Sequence, residues 1–243
     1  MYTERVIAVT SPLLQLIEEN RWEDFQPLMD RLQAWAFWPL FLEKLRSLNR
    51  EALFDSRVHG PGHIERTMLH GAFCAMEDAL DETDTALLLE CCAYHDVGRI
   101  SDSMDYLHGS RSALRLGALT ARTGEALKMM MAAVDAHSRP DEELEDTLRG
   151  YHPADWQRCL RLAHLLKDAD GLDRVRIWDL DVAFLRRQAS REREDFAEYL
   201  FGRYQRLVQM PLEPPFPPEL TARLAAKQAK RNALRHRTPR YNG

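Results

Sequence analysis

The sequence lacks the features of a secreted or membrane-spanning protein. Its longest nearly apolar run covers residues 34–42 and is interrupted by Pro39, so it is too short to cross a bilayer. The first ten residues lack the basic segment followed by an apolar one that is typical of a secretory signal. We therefore expect a soluble, cytoplasmic protein that does not bind membranes.

Cysteine is scarce and is not arranged for cross-linking. The four residues, at positions 74, 91, 92 and 159, form no CxxC motif, and two of them are neighbours within an apolar stretch. Neither a disulfide framework nor a zinc ribbon fits this spacing. We expect four small, buried side chains.

Alternating, β-branched segments long enough for a sheet are also missing. Helical spacing runs through most of the chain instead. Ser11-Pro12 has the pattern of a helix start, and a second helical stretch covers residues 31–48, with a kink expected at Pro39. A third helix follows the turn residues 60–62. The predicted fold class is all-α.

The apolar run that ends at Gly98 predicts another helix, with Asp81 or Thr83 as its N-cap. It closes with His95-Asp96, and polar groups at the last turn of a buried helix are placed at the rim of a pocket. Further helices are predicted over residues 110–121, 125–136, 154–169 and 187–208.

Composition divides the chain into four segments. Residues 1–54 hold three of the five tryptophans and form an N-terminal helical extension, which either packs on the core or forms the interface of a homodimer. Five prolines within residues 211–218 favour a stiff, extended connector. The extension covers residues 1–54, and a domain that holds most histidines covers 55–185. A packing helix follows over residues 186–210, and the connector with its tail covers 211–243.

The tail is basic, with seven Lys and Arg residues and no acidic residue in positions 221–243. It forms a solvated C-terminal helix, packs on an acidic partner protomer, or reaches over the active site. Nucleic acid is not an expected partner, because the net charge of the chain is −5 and no aromatic residues alternate with the basic ones.

Histidine is concentrated in the second segment, where eight of the nine lie between residues 59 and 164. Four of these and two aspartates fall at or near predicted helix ends, which bundled helices can bring together. A buried imidazole or carboxylate is costly unless it is paired or bound to a cation. Taken singly, each has the alternative role of a helix cap. The six residues are His63, His95, Asp96, His108, His137 and Asp170.

The order of these residues resembles the HD-domain superfamily of metal-dependent phosphohydrolases. That family has a His, then a His-Asp pair that closes an apolar helix, then an Asp in an Ala-Asp segment. The corresponding residues are His63 in HIERT, His95-Asp96 in YHDVGR and Asp170 in ADGLD. His108 in HGSRSA and His137 in DAHS resemble the two further ligands of the binuclear branch, which includes bacterial diadenosine tetraphosphate hydrolases.

The resemblance covers about residues 55–185 and leaves out both ends of the chain. It departs from the family pattern at Arg99, where Lys is more usual, and at Gly171, where Arg is common. It implies an HD-domain helical bundle, with extra N-terminal helices and a C-terminal basic helical tail.

The residue types agree with a metal site. Imidazoles and carboxylates suit iron, manganese, cobalt, nickel or zinc, and no thiolate is needed. Six ligands are too many for one ion that keeps an open position, so we expect two divalent or trivalent ions. The resemblance implies that Asp96 bridges them and is the catalytic residue. It also implies hydrolysis of a phosphate ester or anhydride, expected to be that of a nucleotide, by a hydroxide that bridges the metals.

Basic residues near the ligand motifs are candidates for binding the substrate phosphate, because arginine matches phosphate oxygens in a bidentate manner. Solvated surface charges are the alternative. The candidates are Arg66, Arg99, Arg139, Lys167 and His59. Asp168 and Asp173 flank Asp170 and either orient ligand imidazoles or cap helices.

Two other functions fit the same ligands. The set of four His and two Asp also resembles mixed-valent di-iron oxygenases of the HD fold, which act on a small polyol or an organophosphonate. Turnover without oxygen distinguishes the two enzymes. The third hypothesis is a regulatory HD module that binds a nucleotide without converting it.

Overall fold

The structure is a computed structural model and describes residues 11–209. The chain divides into one compact unit of residues 1–204 and a second of residues 205–243. This boundary precedes the one predicted from the proline cluster. The proline-rich connector and the basic tail lie outside the described residues.

Within residues 11–209 the chain forms eleven α-helices, joined in part by short 3-10 turns, and no strand. This confirms the all-α prediction. In the same residues no helix is both long and apolar enough to cross a membrane. The helices are α1 (Pro12–Glu19), α2 (Gln26–Gln33), α3 (Trp38–Arg46), α4 (Pro61–Glu77), α5 (Glu82–Tyr94), α6 (His108–Leu119), α7 (Gly124–His137), α8 (Leu144–Gly150), α9 (Trp156–Leu172), α10 (Gln188–Arg191) and α11 (Glu194–Leu207).

Helices α4, α5, α7 and α9 pack together at the centre of the first unit. Every residue of α4 from His63 to Ala75 is buried, as is every residue of α5 from Thr85 to Tyr94. Helices covered on all sides form the inside of a bundle rather than its surface. Helix α6 packs on α7, and α1, α2 and α3 form a layer on α4. The four cysteines are free and buried, as expected.

Local signals account for several helix starts. The Ser11 hydroxyl accepts a hydrogen bond from the Leu14 N–H at 3.1 Å and caps α1. The Asp81 carboxylate accepts from the Asp84 N–H at 2.8 Å and caps α5, so Asp81, not Thr83, is the N-cap. Both caps satisfy backbone N–H groups that the first helical turn leaves without partners.

Two predicted helices are each divided in the structure. The stretch predicted over residues 31–48 breaks between α2 and α3, and Pro39 lies in the first turn of α3 instead of at a kink. Proline is favoured there because the first helical turn does not use its missing N–H. The helix predicted over residues 187–208 is likewise two helices, α10 and α11.

Gly98 lies where the end of α5 meets the start of α6. A Cβ atom at this position would stand 2.3 Å from the Ser112 nitrogen and 2.6 Å from the His108 oxygen, and neither backbone atom can move aside alone. We expect Gly98→Ala to lower the free energy of unfolding by about 1–3 kcal/mol, as overpacking does. Urea unfolding followed by circular dichroism measures the change.

Gly117→Ala is the matched control because Gly117 lies on the exposed face of α6. A Cβ atom added there would lie an ordinary 3.6 Å from its nearest neighbour, the Leu127 Cδ2 atom. Alanine favours the helix over glycine by about 1 kcal/mol, so this variant should be at least as stable as the parent. Equal stability of both variants would contradict the close approach at Gly98.

Candidate metal centre

Six side chains meet where the ends of five helices converge. His63 lies in the first turn of α4, His95 and Asp96 directly follow α5, and Asp170 lies in the last turn of α9. His108 is the first residue of α6 and His137 the last of α7. We call this set the centre: His63, His95, Asp96, His108, His137 and Asp170.

The first two imidazoles face each other through the same ring atom. The Nε2 atoms of His63 and His95 are 3.0 Å apart. Each Nδ1 has an oxygen partner: Asp173 Oδ2 at 2.7 Å for His63, and the Cys92 carbonyl at 2.9 Å for His95. Because these oxygens accept, one proton of each ring is assigned to Nδ1. The two Nε2 atoms then face one another, an arrangement that either a proton or a metal ion between them would stabilise.

The second pair repeats this geometry. His108 Nε2 and His137 Nε2 are also 3.0 Å apart. The Nδ1 atoms face the backbone carbonyls of Asp105 and Val134, each at 2.5 Å. A backbone carbonyl has no proton to give, so both Nδ1 atoms donate, and in a neutral ring Nε2 is then the acceptor. Nε2 with Nδ1 bonded to an oxygen is the usual form of a metal-binding histidine.

Asp96 lies between the two pairs. Its Oδ2 is 3.6 Å from His63 Nε2 and 3.8 Å from His95 Nε2, whereas its Oδ1 is 3.0 Å from His108 Nε2 and 3.6 Å from His137 Nε2. Oδ1 is buried and accepts no hydrogen bond. One carboxylate oxygen thus faces each imidazole pair.

Asp170 completes the first group. Its Oδ1 is 3.3 Å from His63 Nε2 and 3.7 Å from His95 Nε2. Two overlapping donor sets result: two imidazoles with Asp96 and Asp170, and two imidazoles with Asp96 alone. Nitrogen and oxygen donors of this kind fit the transition metals expected from the sequence.

The electrostatics of the centre favour positive charge. Burial raises the pKa of Asp96 and of Asp170, but the neighbouring imidazoles lower both well below the usual range of a carboxyl group. Burial lowers the pKa of His95, yet Asp96 and Asp170 raise it above the ordinary value for histidine. Two ionised carboxylates, one buried and one partly exposed, therefore lie beside the imidazoles and favour positive charge there.

Asp173 supports His63 from behind. Its Oδ2 accepts from His63 Nδ1, and Arg66 donates to both carboxylate oxygens, from Nε at 2.6 Å and from Nη2 at 2.9 Å. Asp173 therefore fixes the orientation of the His63 ring. Arg66 is buried and donates from Nε and Nη2 to Asp173, so these two donors are not directed at a substrate.

Three other predicted residues hold the surrounding segments together. Asp168 accepts the backbone N–H groups of Arg186 and Arg187 at 2.8 and 2.9 Å, which ties α9 to the segment before α10. Arg139 donates to Asp135 Oδ1 at 3.0 Å. Lys167 donates to the Arg139 carbonyl at 2.7 Å and forms an ion pair with Asp141 at 3.0 Å.

The two remaining candidates contact the centre. Arg99 Nε donates to Asp96 Oδ2 at 2.9 Å, and His59 Nδ1 lies 3.1 Å from the same oxygen. Burial lowers the pKa of His59 to about 4, an effect that the nearby Arg176 guanidinium reinforces, so the ring is neutral at pH 7.

Arg176 was not among the residues predicted from the sequence. Its Nη2 is 3.1 Å from His59 Nδ1, and its Nη1 is 4.0 Å from Asp170 Oδ1. The available signal was its position three residues after Asp173, which places both on one side of the 3-10 turn that follows α9.

Comparison with known proteins gives no match: no family model, no curated protein and no solved structure is similar to this chain. The functional argument therefore depends on the residues and geometry of the centre.

His70 lies two turns after His63 on α4 but outside the centre. It is fully buried, and neither ring nitrogen has a hydrogen-bond partner within the described chain. Burial lowers its pKa to about 3, against 6.5 for a free histidine. The unfolded chain therefore binds a proton more readily than the folded one, so the free energy of unfolding is unaffected above pH 6.5 and declines as the pH falls from 6.5 toward 3. In metal-free protein, we expect His70→Leu to exceed the parent in free energy of unfolding by about 2 kcal/mol at pH 5 and to differ much less at pH 7.

His152→Asn serves as the control for His70→Leu. This residue has a φ of +50°, which asparagine tolerates, so the substitution leaves the backbone unstrained. Urea unfolding at pH 5 and pH 7 is measured for both variants, and the pH dependence of His152→Asn is subtracted from that of His70→Leu. A pH-independent effect of His70→Leu would show that the ring is not held neutral.

Proposed function

We propose that the protein is a metal-dependent phosphohydrolase whose bundle is an HD domain with a binuclear centre. The observation that carries the proposal is the placement of Asp96, with one oxygen toward each of two imidazole pairs whose Nε2 atoms are 3.0 Å apart. Without cations, this arrangement buries two pairs of opposed lone pairs and an unpaired carboxylate oxygen.

The donor set fits two transition-metal ions, from iron, manganese, cobalt, nickel or zinc. His63, His95, Asp96 and Asp170 would hold one, and His108, His137 and Asp96 the other. When bound, such a pair supplies hydroxide at neutral pH and neutralises charge on a phosphoryl group. The chain's own part is to fix the ligands: Asp173 and three backbone carbonyls hold the four Nδ1 atoms.

The fixed charges support an anionic substrate. Asp96 and Asp170 are the two carboxylates of the centre, and Asp173 lies behind His63. Three guanidinium groups lie beside these carboxylates, those of Arg66, Arg99 and Arg176. Because these charges balance, bound metal ions would leave the centre positive. A phosphate ester or anhydride suits such a field, whereas an uncharged polyol does not use it.

Asp170 is the most exposed of the six side chains of the centre. The side chain of Asp170 is 22% exposed, whereas those of His63 and His95 are fully buried and that of Asp96 is 3% exposed. We therefore place the approach of the substrate on the side of Asp170.

The test is phosphate release from a panel of nucleotides and simple phosphate esters. Purified protein is analysed for metals, then stripped and reloaded with each candidate ion separately. We expect about two ions per chain and phosphate release at equal rates with and without oxygen. Product formation that stops under anaerobic conditions would replace the hydrolase with an oxygenase. Tight nucleotide binding with no product from any loaded form would support the regulatory module instead.

A further inference from the structure

Two of the three nitrogens of the Arg176 guanidinium have close neighbours, and the third has no hydrogen-bond partner among the described residues. Its Nε donates to the Val58 carbonyl at 2.9 Å, and its Nη2 lies 3.1 Å from His59 Nδ1. The side chain is 5% exposed, and the buried Nη1 has no hydrogen-bond partner among the described residues.

The unpartnered Nη1 lies beside Asp170, the most exposed side chain of the centre. Nη1 is 4.0 Å from Asp170 Oδ1 and 3.8 Å from Asp173 Oδ2, distances that attract charge but exceed a hydrogen bond. Asp170 is also the exposed member of the ligand set. A buried, charged N–H group without an acceptor is costly, and an oxygen atom brought in past Asp170 would satisfy it.

We propose that Arg176 Nη1 binds a non-bridging oxygen of the substrate, and that this substrate carries a terminal phosphoryl group. The proposal rests on the function proposed above. A terminal phosphoryl group has three non-bridging oxygens, so one can reach Arg176 while others face the centre. A phosphodiester has two such oxygens, and its second substituent would have to enter the same buried space.

The orientation of Arg176 explains why the residue type matters. The Val58 carbonyl accepts from Nε and the His59 ring lies against Nη2, so the guanidinium is positioned before the ligand arrives and little side-chain freedom is lost on binding. Lysine would keep the charge but could not bond to both anchors and also present a donor at the entrance.

The experiment measures binding of inorganic phosphate to the metal-loaded protein by calorimetry, for the parent, Arg176→Gln and Arg176→Lys. We expect about 10- to 100-fold weaker phosphate binding in both variants with unchanged metal content, as for loss of a charged hydrogen bond. Arg174→Gln is the matched control, because Arg174 lies in the same 3-10 turn, is 45% exposed and pairs with Asp179. It should bind phosphate like the parent.

Methyl phosphate and dimethyl phosphate test the substrate class. Methyl phosphate should compete with inorganic phosphate in the parent, and dimethyl phosphate should not. Equal competition by both would overturn the assignment to a terminal phosphoryl group. Phosphate affinity that is unchanged in Arg176→Gln, or metal lost from both Arg176 variants, would overturn the anion-binding role and leave Arg176 as a structural partner of Asp170 and Asp173.

Failure of this proposal differs from failure of the proposed function. Phosphate binding requires no turnover, so weaker binding in the Arg176 variants of a protein that hydrolyses nothing would keep the subsite and remove the hydrolase. Hydrolysis with the parent's KM in Arg176→Gln would keep the hydrolase and remove the subsite.

Discussion

Asp96→Asn is expected to lower kcat/KM for phosphate release by about a thousandfold or more and to reduce the bound metal below two ions per chain. The amide removes the negative charge and leaves only one good acceptor oxygen, so it cannot serve both imidazole pairs as Asp96 does. In the proposed mechanism, loss of the bridging carboxylate would remove the field that phosphoryl transfer requires. Elemental analysis and a phosphate-release assay on the same preparation measure both effects.

The control for Asp96→Asn is Asp146→Asn, the same chemical change at a side chain that is 85% exposed and pairs only weakly with Arg149 at 3.4 Å. It should retain full metal content and turnover. If Asp96→Asn kept two ions and undiminished activity, the carboxylate would not bridge a catalytic pair, and the proposed mechanism would be wrong.

Asp173→Ala should cause the largest loss of stability, about 3–5 kcal/mol in the free energy of unfolding. Asp173 is completely buried and accepts from Arg66 and from His63. Its removal leaves a buried guanidinium without its partner, which costs more than the pair itself contributes. Urea unfolding of metal-free protein measures the loss without a contribution from metal affinity.

The double variant Arg66→Met/Asp173→Ala tests the cause. Because it removes both charges, it should be less destabilised than the sum of the two single variants, with a coupling of about 1–3 kcal/mol. Additive losses would show that the two groups do not act as a pair.

The same pair gives a pH dependence. Burial raises the pKa of Asp173, but Arg66 and His63 hold it below its usual range, so its folded-state pKa is depressed. Its contribution to stability is therefore complete above the unfolded value of about 4 and is lost as the pH falls below that value. Asp173→Ala should accordingly show a shallower decline in stability below pH 4 than the parent does.

Local patterns in the chain predicted the helices well where a cap or a buried run was present. The Ser11 and Asp81 caps and the apolar run before His95 each depend on neighbouring residues, and the structure agrees. The break between α2 and α3 left no comparable signal. Pro39 indicated a disturbance, but a proline fits equally at a kink and in a first turn, and the packing of α3 on α4 and α5 favours the latter.

By itself, the sequence determined an all-α chain with six imidazoles and carboxylates at helix ends, because capping, periodicity and motif order are properties of adjacent residues. Only the tertiary structure decided which charges serve the centre. Arg66 follows His63 by one turn, yet it binds Asp173, which is 107 positions away in the sequence. Arg176 likewise contacts His59, which is 117 positions away. A long side chain takes its partner from whatever packing brings within reach, and that depends on contacts between helices far apart in the chain.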